Sequence, residues 1–391
     1  MWVGVPRETQ FGERRVAIIP ASVPALEKSG VQVMVETAAG ELAGFPDQAY
    51  RDAGATIAET REELFRQVQI LTHVWALGAN PVAGRPDIEL VRSGQAVIGF
   101  CHPISGCSAA RDLAECGVML FSMELIPRIT RAQSMDALSS MGTIAGYKAV
   151  LEAANTLPRL FPMMMTAAGT LAAARVMVVG AGVAGLQAIA TARKLGAVVE
   201  AYDVRPVVKE QVQSLGAKFV ELDLETDDAE DTGGYAKEQT EDFMRRQREA
   251  LTRVVAGNDV VITTAAVPGK KAPVIITRTM VEAMAPGSVI VDLAAERGGN
   301  CEVTRPGETI THQGVTVIGP LNVPASMPNH ASQMYSRNMT AFLQHLVKDG
   351  EFILDLEDEI TAATLVTRQG EIVNPWVQKA MAEATRERSS A

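Results

Sequence analysis

Residues 175–185 read RVMVVGAGVAG, and this stretch decides the fold. An apolar run of strand length is followed by glycines in the pattern G-x-G-x-x-G, and the apolar segment after them is typical of a helix. In such a unit Gly180 allows the tight turn, Gly182 lets backbone approach a pyrophosphate, and Gly185 allows the helix to pack closely on the strand. The helix N-terminus, beginning near Val183, attracts phosphate through free N–H groups and its positive dipole end. The stretch therefore predicts a dinucleotide site.

The next predicted strand ends in Asp203, and this position indicates which dinucleotide binds. A carboxylate there can accept hydrogen bonds from the adenosine ribose hydroxyls, and its charge repels a 2′-phosphate. The sequence thus favours NAD(H) over NADP(H), although nearby Arg205 can moderate the repulsion. We expect Ala265 and Ala266, after a later strand, to complete the pocket. The alternative is a tight turn without a ligand, but strand, glycines, helix and acidic residue all fit the cofactor site.

Composition limits the class of protein. The chain has 391 residues and a formal net charge of -10, so we expect two domains and an acidic surface. Nucleic acid and anionic lipid are poor partners for such a surface, because both require clustered Lys and Arg. The four cysteines form no C-x-x-C pair, which argues against a metal site and a disulfide framework.

The sequence also predicts a cytoplasmic protein. No basic segment followed by an apolar stretch is evident at the N-terminus, so we expect no signal peptide. The most apolar stretch, residues 172–183, is too short to span a bilayer. If the protein serves a membrane process, another chain must supply the membrane part.

Alternating strand and helix patterns occur twice along the chain. This alternation predicts an α/β fold of two Rossmann-like, doubly wound domains with mainly parallel sheets, linked by long helices. A helical pattern at residues 134–155 bridges the two series, and another at residues 329–347 can return the chain to the first domain. We therefore expect a discontinuous N-terminal domain, residues 1–137 plus 328–391, and an NAD(H)-binding domain, residues 138–327.

An acid-rich insertion follows the third strand of the second series. Long loops in compact domains are often functional. We interpret residues 223–240 as a mobile flap over the nucleotide, with Gly234 as a flexible point and Tyr235 as its large aromatic residue. The alternative interpretation is a solvated surface loop.

Several further stretches carry a family resemblance. Residues 127–140 read PRITRAQSMDALSS, residues 161–170 FPMMMTAAGT, residues 233–237 GGYAK and residues 298–301 GGNC. With these stretches the chain resembles the alpha subunit of proton-translocating NAD(P) transhydrogenases, in its separately encoded NAD(H)-binding form. The resemblance implies direct hydride transfer from NADH on this chain to NADP+ on a partner domain. It also implies a homodimer, and attachment to the inner membrane through membrane-spanning partner subunits.

The same resemblance places the nicotinamide loop of the family on four residues, Arg128, Gln133, Asp136 and Ser139. Hydride transfer between two nicotinamides needs no general base, but it needs the two reacting carbons aligned at roughly 3–3.5 Å with water excluded. Amide, carboxylate, hydroxyl and guanidinium groups can hold the carboxamides, riboses and phosphates in that alignment. The alternative interpretation is that Asp136 caps the long helix while Arg128 forms a surface ion pair.

Two other functions remain open from the residues. Alanine dehydrogenases of the wider superfamily use an Arg, a His and a Lys, and Arg15 and His102 can match the first two. Residues 72–81 contain no Lys, so an anchor for a carboxylate substrate is missing. The last alternative is a non-catalytic NAD-binding or sensing module.

Overall fold

The computed structural model describes residues 1–221, 241–266 and 269–390. The chain divides into two compact units, one formed by residues 1–141 and 325–391 and the other by residues 142–324. Within the described part of the chain, no helix is both long and apolar enough to cross a membrane.

The first unit starts with alternating strands and helices. The strands are β1 (Trp2–Val5), β2 (Gln32–Glu36), β3 (Thr56–Ala58), β4 (Ile70–Trp75), β5 (Ala96–Phe100) and β6 (Met119–Ser122). The α-helices are α1 (Val23–Glu27), α2 (Asp47–Asp52), α3 (Arg61–Gln67) and α4 (Cys107–Glu115). Short 3₁₀ helices cover Pro20–Ser22, Glu41–Ala43, Arg85–Glu89, Met123–Leu125 and Thr130–Met135.

The chain then passes through α5 (Ala137–Thr156) into the second unit. Its strands are β7 (Met164–Thr166), β8 (Gly169–Leu171), β9 (Arg175–Val179), β10 (Val198–Tyr202), β11 (Lys218–Phe219), β12 (Val260–Thr263), β13 (Val289–Asp292), β14 (Thr309–His312) and β15 (Val315–Ile318). Its other helices are α6 (Val183–Lys194), α7 (Lys209–Ser214), α8 (Glu241–Ala256) and α9 (Arg278–Ala283), with 3₁₀ turns at Pro206–Val208 and Ala295–Arg297.

The C-terminal part belongs to the first unit again, after a 3₁₀ turn at Val323–Ser326. Its elements are α10 (Pro328–Leu346), β16 (Val347–Lys348), β17 (Glu351–Phe352), α11 (Glu359–Thr364), β18 (Leu365–Arg368), β19 (Glu371–Ile372) and α12 (Pro375–Ser390).

Both units contain the same order of parallel strands. The first sheet runs β19-β18-β6-β5-β4-β1-β2-β3, and its strands β1 to β6 are all parallel. The second runs β11-β10-β9-β12-β13-β15-β14, and only its edge strand β14 is antiparallel among the pairs described. The order of the parallel strands reverses between β1 and β4 and between β9 and β12, and ligands bind at such switch points in open α/β sheets. The predicted fold class is confirmed.

The second sheet is buried on both faces, as expected for parallel strands covered by helices. On β9, Val176 and Val178 pack on one face in a cluster with Ile189 of α6. Met177 and Val179 pack on the other face, in a second cluster that includes residues of α8 and α9. Each such side chain contributes roughly 1.5–3 kcal/mol on burial, so the strand that leads into the glycine turn is firmly anchored.

The bridging helix begins later than the sequence pattern predicts. The pattern suggests a helix from residue 134, but Thr130–Met135 forms a 3₁₀ helix and α5 starts at Ala137. Asp136 separates the two with a backbone φ of -70° and ψ of 87°, which is not helical. Its carboxylate accepts the backbone N–H of Ser139 at 2.9 Å, so it takes the N-cap position of α5.

Candidate functional site

The glycine turn lies at the switch point of the second sheet, directly after β9. Gly180 has a φ of +95°, in the left-handed region that favours glycine. A Cβ on Gly185 would lie 1.8 Å from the Gly180 carbonyl oxygen, so only glycine lets α6 approach the turn this closely. A Cβ on Gly182 would meet nothing within 4 Å, so this side of the turn faces open space.

Helix α6 begins at this open side. Gly182 is its N-cap residue and Val183 its first residue, which is 41% exposed. A helix start without a capping side chain presents its first N–H groups and its positive dipole end to an anion. The residues present therefore fit the pyrophosphate of a dinucleotide, as the sequence pattern predicts.

Asp203 follows β10 and contacts the glycine turn directly. Its Oδ2 accepts the backbone N–H of Ala181 at 2.7 Å. Its Oδ1 accepts the backbone N–H of Arg205 at 2.9 Å, and the Arg205 guanidinium pairs with both carboxylate oxygens. The side chains are 5% and 13% exposed, so this is a largely buried pair. The carboxylate stabilises the turn, a contact that the motif alone does not predict.

Ala265 and Ala266 lie after β12, beside the same turn. Thr264 Oγ1 donates to the Gly180 carbonyl at 2.9 Å, which joins the two segments. Ala265 is half-buried and Ala266 is exposed. The small side chains leave room for a ligand next to the glycines. The predicted flap, with Gly234 and Tyr235, lies outside the described residues.

The proposed nicotinamide segment belongs to the first unit. Arg128 and Gln133 are exposed, and Gln133 lies on the 3₁₀ helix Thr130–Met135. Asn338 of α10 holds this helix by donating to the Ser134 carbonyl at 2.8 Å. The segment therefore presents an exposed amide from a fixed backbone.

Asp136 and Ser139, the other two residues of the segment, contact each other. The Ser139 hydroxyl and backbone N–H both donate to the Asp136 carboxylate, at 2.5 and 2.9 Å. This is the geometry of the capping alternative. Both side chains remain half-buried, and a carboxylate oxygen can accept further hydrogen bonds.

The switch point of the first unit holds charged side chains of the chain itself. Arg15 is 2% exposed and forms a fork with Glu13, with Nε–Oε1 at 2.8 Å and Nη2–Oε2 at 2.6 Å. Trp75, at the end of β4, donates its indole N–H to Glu13 Oε2 at 2.5 Å. The His102 ring packs against Trp75 at a centroid distance of 5.4 Å. An internal carboxylate thus already neutralises the arginine that matches the alanine dehydrogenase pattern.

Two buried titratable groups lie near this cluster. Burial, and then the neighbouring charge of Glu13, raise the pKa of Glu8 to about 8. Burial lowers the pKa of His73 to about 4. Between those values both groups are neutral, so their approach of 3.9 Å is not an ion pair. No sequence pattern pointed to Glu8 or Glu13, since isolated acidic residues are common in exposed loops.

Two sheets in dinucleotide-fold strand order, one with an open glycine turn at its switch point, define a Rossmann-like protein of the class that binds nucleotide cofactors. Family models agree, with the Alanine dehydrogenase/PNT N-terminal domain matching residues 4–145 and its C-terminal domain matching residues 149–375. The chain belongs to the alanine dehydrogenase/PNT family.

Individual relatives are similar along nearly the whole chain. The first of the separately named parts of NAD(P) transhydrogenase subunit alpha in Rhodospirillum rubrum is 46% identical over 96% of this chain and 98% of its own length. The crystal structure of transhydrogenase from Sinorhizobium meliloti is 42% identical, with a TM-score of 0.82 over 96% of this chain and 99% of that chain. Alanine dehydrogenase of Mycolicibacterium smegmatis is 26% identical over 97% of this chain and 96% of its own length. Similarity is therefore greater to these transhydrogenases than to that alanine dehydrogenase.

Proposed function

We propose that the chain is the NAD(H)-binding subunit of a proton-translocating transhydrogenase, which passes hydride from NADH to NADP+ held on a partner domain. The observation that carries the proposal is the open glycine turn at Gly182, next to the acidic Asp203, in a chain 46% identical to a transhydrogenase alpha subunit. Bound NADH supplies the hydride, and the residues of the chain bind, orient and shield it.

The second unit supplies binding. The N-terminus of α6 and the backbone at Gly182 hold the pyrophosphate. Asp203 accepts the adenosine ribose hydroxyls and repels a 2′-phosphate, so NAD(H) is the preferred dinucleotide. Arg205 neutralises part of that charge, because its guanidinium is paired with both oxygens of Asp203. Ala265 and Ala266 line the crevice, and Gly234 and Tyr235 cover the nucleotide.

The first unit supplies alignment. The exposed amide of Gln133 can donate and accept, so it can bridge carboxamide or ribose groups of both nucleotides. Asp136 and Ser139 orient ribose or carboxamide donors, and Arg128 holds a phosphate or Asp136. None of these groups has to remove a proton, because hydride moves from carbon to carbon.

The proposal includes partner subunits that carry the NADP(H) site and the membrane-spanning portion. The Rhodospirillum rubrum relative is named as one part of an alpha subunit, which supports such a division between chains. The proposal also includes a homodimer and a cytoplasmic location at the inner membrane. The β7–β8 hairpin supports the homodimer: residues 163–172 are all exposed, with Met165 at 78% and Leu171 at 51%. A two-stranded hairpin is marginally stable alone, and a second copy can cover this apolar surface.

The test is a reconstitution. The chain is mixed with the NADP(H)-binding domain of a transhydrogenase, and reduction of an NAD analogue is followed in the presence of NADPH and NADH. We expect little activity from the chain alone and strong stimulation by the partner domain. Absence of stimulation, with both proteins folded and binding their nucleotides, overturns the proposal. NADH formation from an amino acid without any partner would instead support the dehydrogenase alternative, which the Glu13–Arg15 pair disfavours.

A further inference from the structure

Asn300 is a fully buried side chain next to the proposed cofactor crevice, and it makes an unusual set of contacts. Its Oδ1 accepts the backbone N–H of Ala265 at 2.9 Å, and its Nδ2 donates to the Ala265 carbonyl at 2.8 Å. The same Nδ2 donates to the Pro273 carbonyl, also at 2.8 Å. One amide side chain thus satisfies both backbone polar groups of a residue 35 positions away.

Asn300 is itself held in place by the end of β13. Asp292 is fully buried, and its Oδ2 accepts the backbone N–H of Cys301 at 3.0 Å and the Thr304 hydroxyl at 2.7 Å. The backbone carbonyl of Asn300 accepts the N–H groups of residues 275 and 276. Gly299 precedes Asn300 with a φ of +83°, and a Cβ there would lie 2.8 Å from Asp292 Oδ2. The clamp is therefore built on a rigid turn.

Ala265, the residue clamped by Asn300, lies against the glycine turn. A Cβ on Gly180 would lie 3.1 Å from the Ala265 nitrogen, and the neighbouring Thr264 hydroxyl donates to the Gly180 carbonyl. Because Asn300 occupies the N–H and carbonyl of Ala265, the segment presents methyl groups rather than free polar groups to the crevice. An apolar wall of this kind suits the face of a ribose or ring, whereas unpaired polar groups would have to be desolvated when a ligand binds.

We propose that Asn300 is a positioning residue of the NAD(H) site, which clamps the backbone of Ala265 and so holds residues 264–266 as the wall beside the glycine turn. This inference rests on the proposed function, since it assumes that NADH occupies this crevice. It adds to that function a residue that contacts the dinucleotide only through Ala265.

The test measures the affinity of NADH for the full chain by titration of NADH fluorescence, together with thermal unfolding. Asn300→Ala removes all three side-chain hydrogen bonds, and we expect NADH to bind roughly ten-fold more weakly, equivalent to about one net hydrogen bond. Asn258→Ala is the matched control. Asn258 is also buried, donates to Glu200 and Val254, and lies before β12, at the opposite end of that strand from Ala265. It should lower the unfolding temperature without changing NADH affinity.

Asn300→Asp provides a readout that a merely structural role would not move. An ionised carboxylate still accepts from the Ala265 N–H, but its second oxygen faces the carbonyls of Ala265 and Pro273 and is repelled by them. When protonated, that oxygen can donate to one of them. We therefore expect the ratio of variant to wild-type dissociation constants to be largest at about pH 8 and to shrink toward about pH 5.5, as the carboxyl takes up a proton.

The outcomes separate the two proposals. If the wild-type chain does not bind NADH, the proposed function fails. If the wild type binds but Asn300→Ala and Asn300→Asp bind equally well at every pH, Asn300 is structural only and the positioning role is overturned. Should Asn300→Ala unfold, the pH dependence of Asn300→Asp decides, with Asn300→Ser as the milder truncation.

Discussion

The guanidinium of Arg205 forms a bidentate pair with the carboxylate of Asp203, with Nε–Oδ1 and Nη2–Oδ2 both at 2.9 Å. The same carboxylate accepts the Ala181 N–H of the glycine turn. Asp203 thus has two tasks, since it shapes the phosphate-binding turn and sets the charge where the adenosine ribose is expected. Arg205 lowers the net negative charge at that place without removing the carboxylate.

Asp203→Ala is expected to weaken NADH binding roughly ten-fold and to narrow the preference for NADH over NADPH, because a charge-assisted acceptor is lost and the guanidinium of Arg205 is released. Titration with both nucleotides measures the preference. Arg205→Ala is the control, since it keeps the carboxylate and should widen the preference. An unchanged ratio in Asp203→Ala would place nucleotide specificity elsewhere.

The glycine turn and its fold are predictable because their determinants are local. The strand β9, the glycines and α6 are adjacent in sequence, and each glycine has its own steric cause. The start of α6 at Val183 rather than at Leu186 is harder to predict, because glycines are poor helix formers and hide the first turn. The short strands β18 and β19 escape prediction for a related reason, since four- and two-residue strands carry little periodicity.

Contacts between distant residues cannot be predicted from spacing. Asn300 stands in the GGNC stretch, yet nothing in a single sequence indicates that its amide reaches Ala265. The Trp75 segment is conspicuous in the sequence only because a lysine is absent there. Its role in filling the first switch point depends on Glu13, which lies 62 positions away. Tertiary packing, not local propensity, decides such contacts.

Gln133→Ala tests alignment apart from binding. The side chain is exposed on a 3₁₀ helix that Asn338 anchors through the backbone, so truncation should leave the helix intact. We expect NADH affinity within about two-fold of wild type, but a rate of hydride transfer to the partner nucleotide lower by roughly 10²-fold, as for other misaligned reacting centres. Stopped-flow transfer with the reconstituted partner measures this. Ser134→Ala, at the next position, should transfer hydride normally; equal rates in all three proteins would leave Gln133 without a role.

Asp136 requires two variants, because its carboxylate caps α5 whatever else it does. Asp136→Ala should lower the free energy of unfolding by about 1 kcal/mol through loss of the cap, whereas Asp136→Ser keeps a good N-cap residue. If Asp136 also orients a nucleotide, Asp136→Ser regains stability without regaining hydride transfer. Denaturant unfolding and single-turnover rates on both variants separate the roles. Recovery of both properties in Asp136→Ser supports capping alone.

The β7–β8 hairpin provides a prediction about assembly. A charge at Met165 would be buried in an interface formed by a second copy, and an unpaired buried charge is strongly unfavourable. Met165→Glu should therefore convert the dimer to a monomer in light scattering, at a concentration where the wild type is dimeric. Val82→Glu places the same charge at another apolar residue, which is 84% exposed in the first unit, and should leave the mass unchanged. A dimeric Met165→Glu would exclude the hairpin from the interface.

Glu8 and His73 together determine a pH dependence of stability. Glu8 has a folded pKa of about 8, above its ordinary 4.5, so folding takes up a proton between those values and its contribution to stability falls as pH rises. His73 has a folded pKa of about 4, below its ordinary 6.5, so folding releases a proton and its contribution rises with pH in that window. The two slopes oppose each other up to about pH 6.5, and above it only that of Glu8 remains.

Glu8→Gln should therefore remove a decline in the free energy of unfolding between about pH 6.5 and 8, which a single group limits to about 1.4 kcal/mol per pH unit. At lower pH the variant should be less stable than wild type, because its amide nitrogen cannot accept from the N–H groups of Val74 and Trp75, which donate to the two oxygens of Glu8. Urea unfolding at half-unit pH intervals measures the difference between the proteins. The exposed residue Glu59, changed to Gln, should keep the wild-type profile. If wild type and Glu8→Gln run parallel over that pH range, Glu8 does not bind its proton in the folded chain.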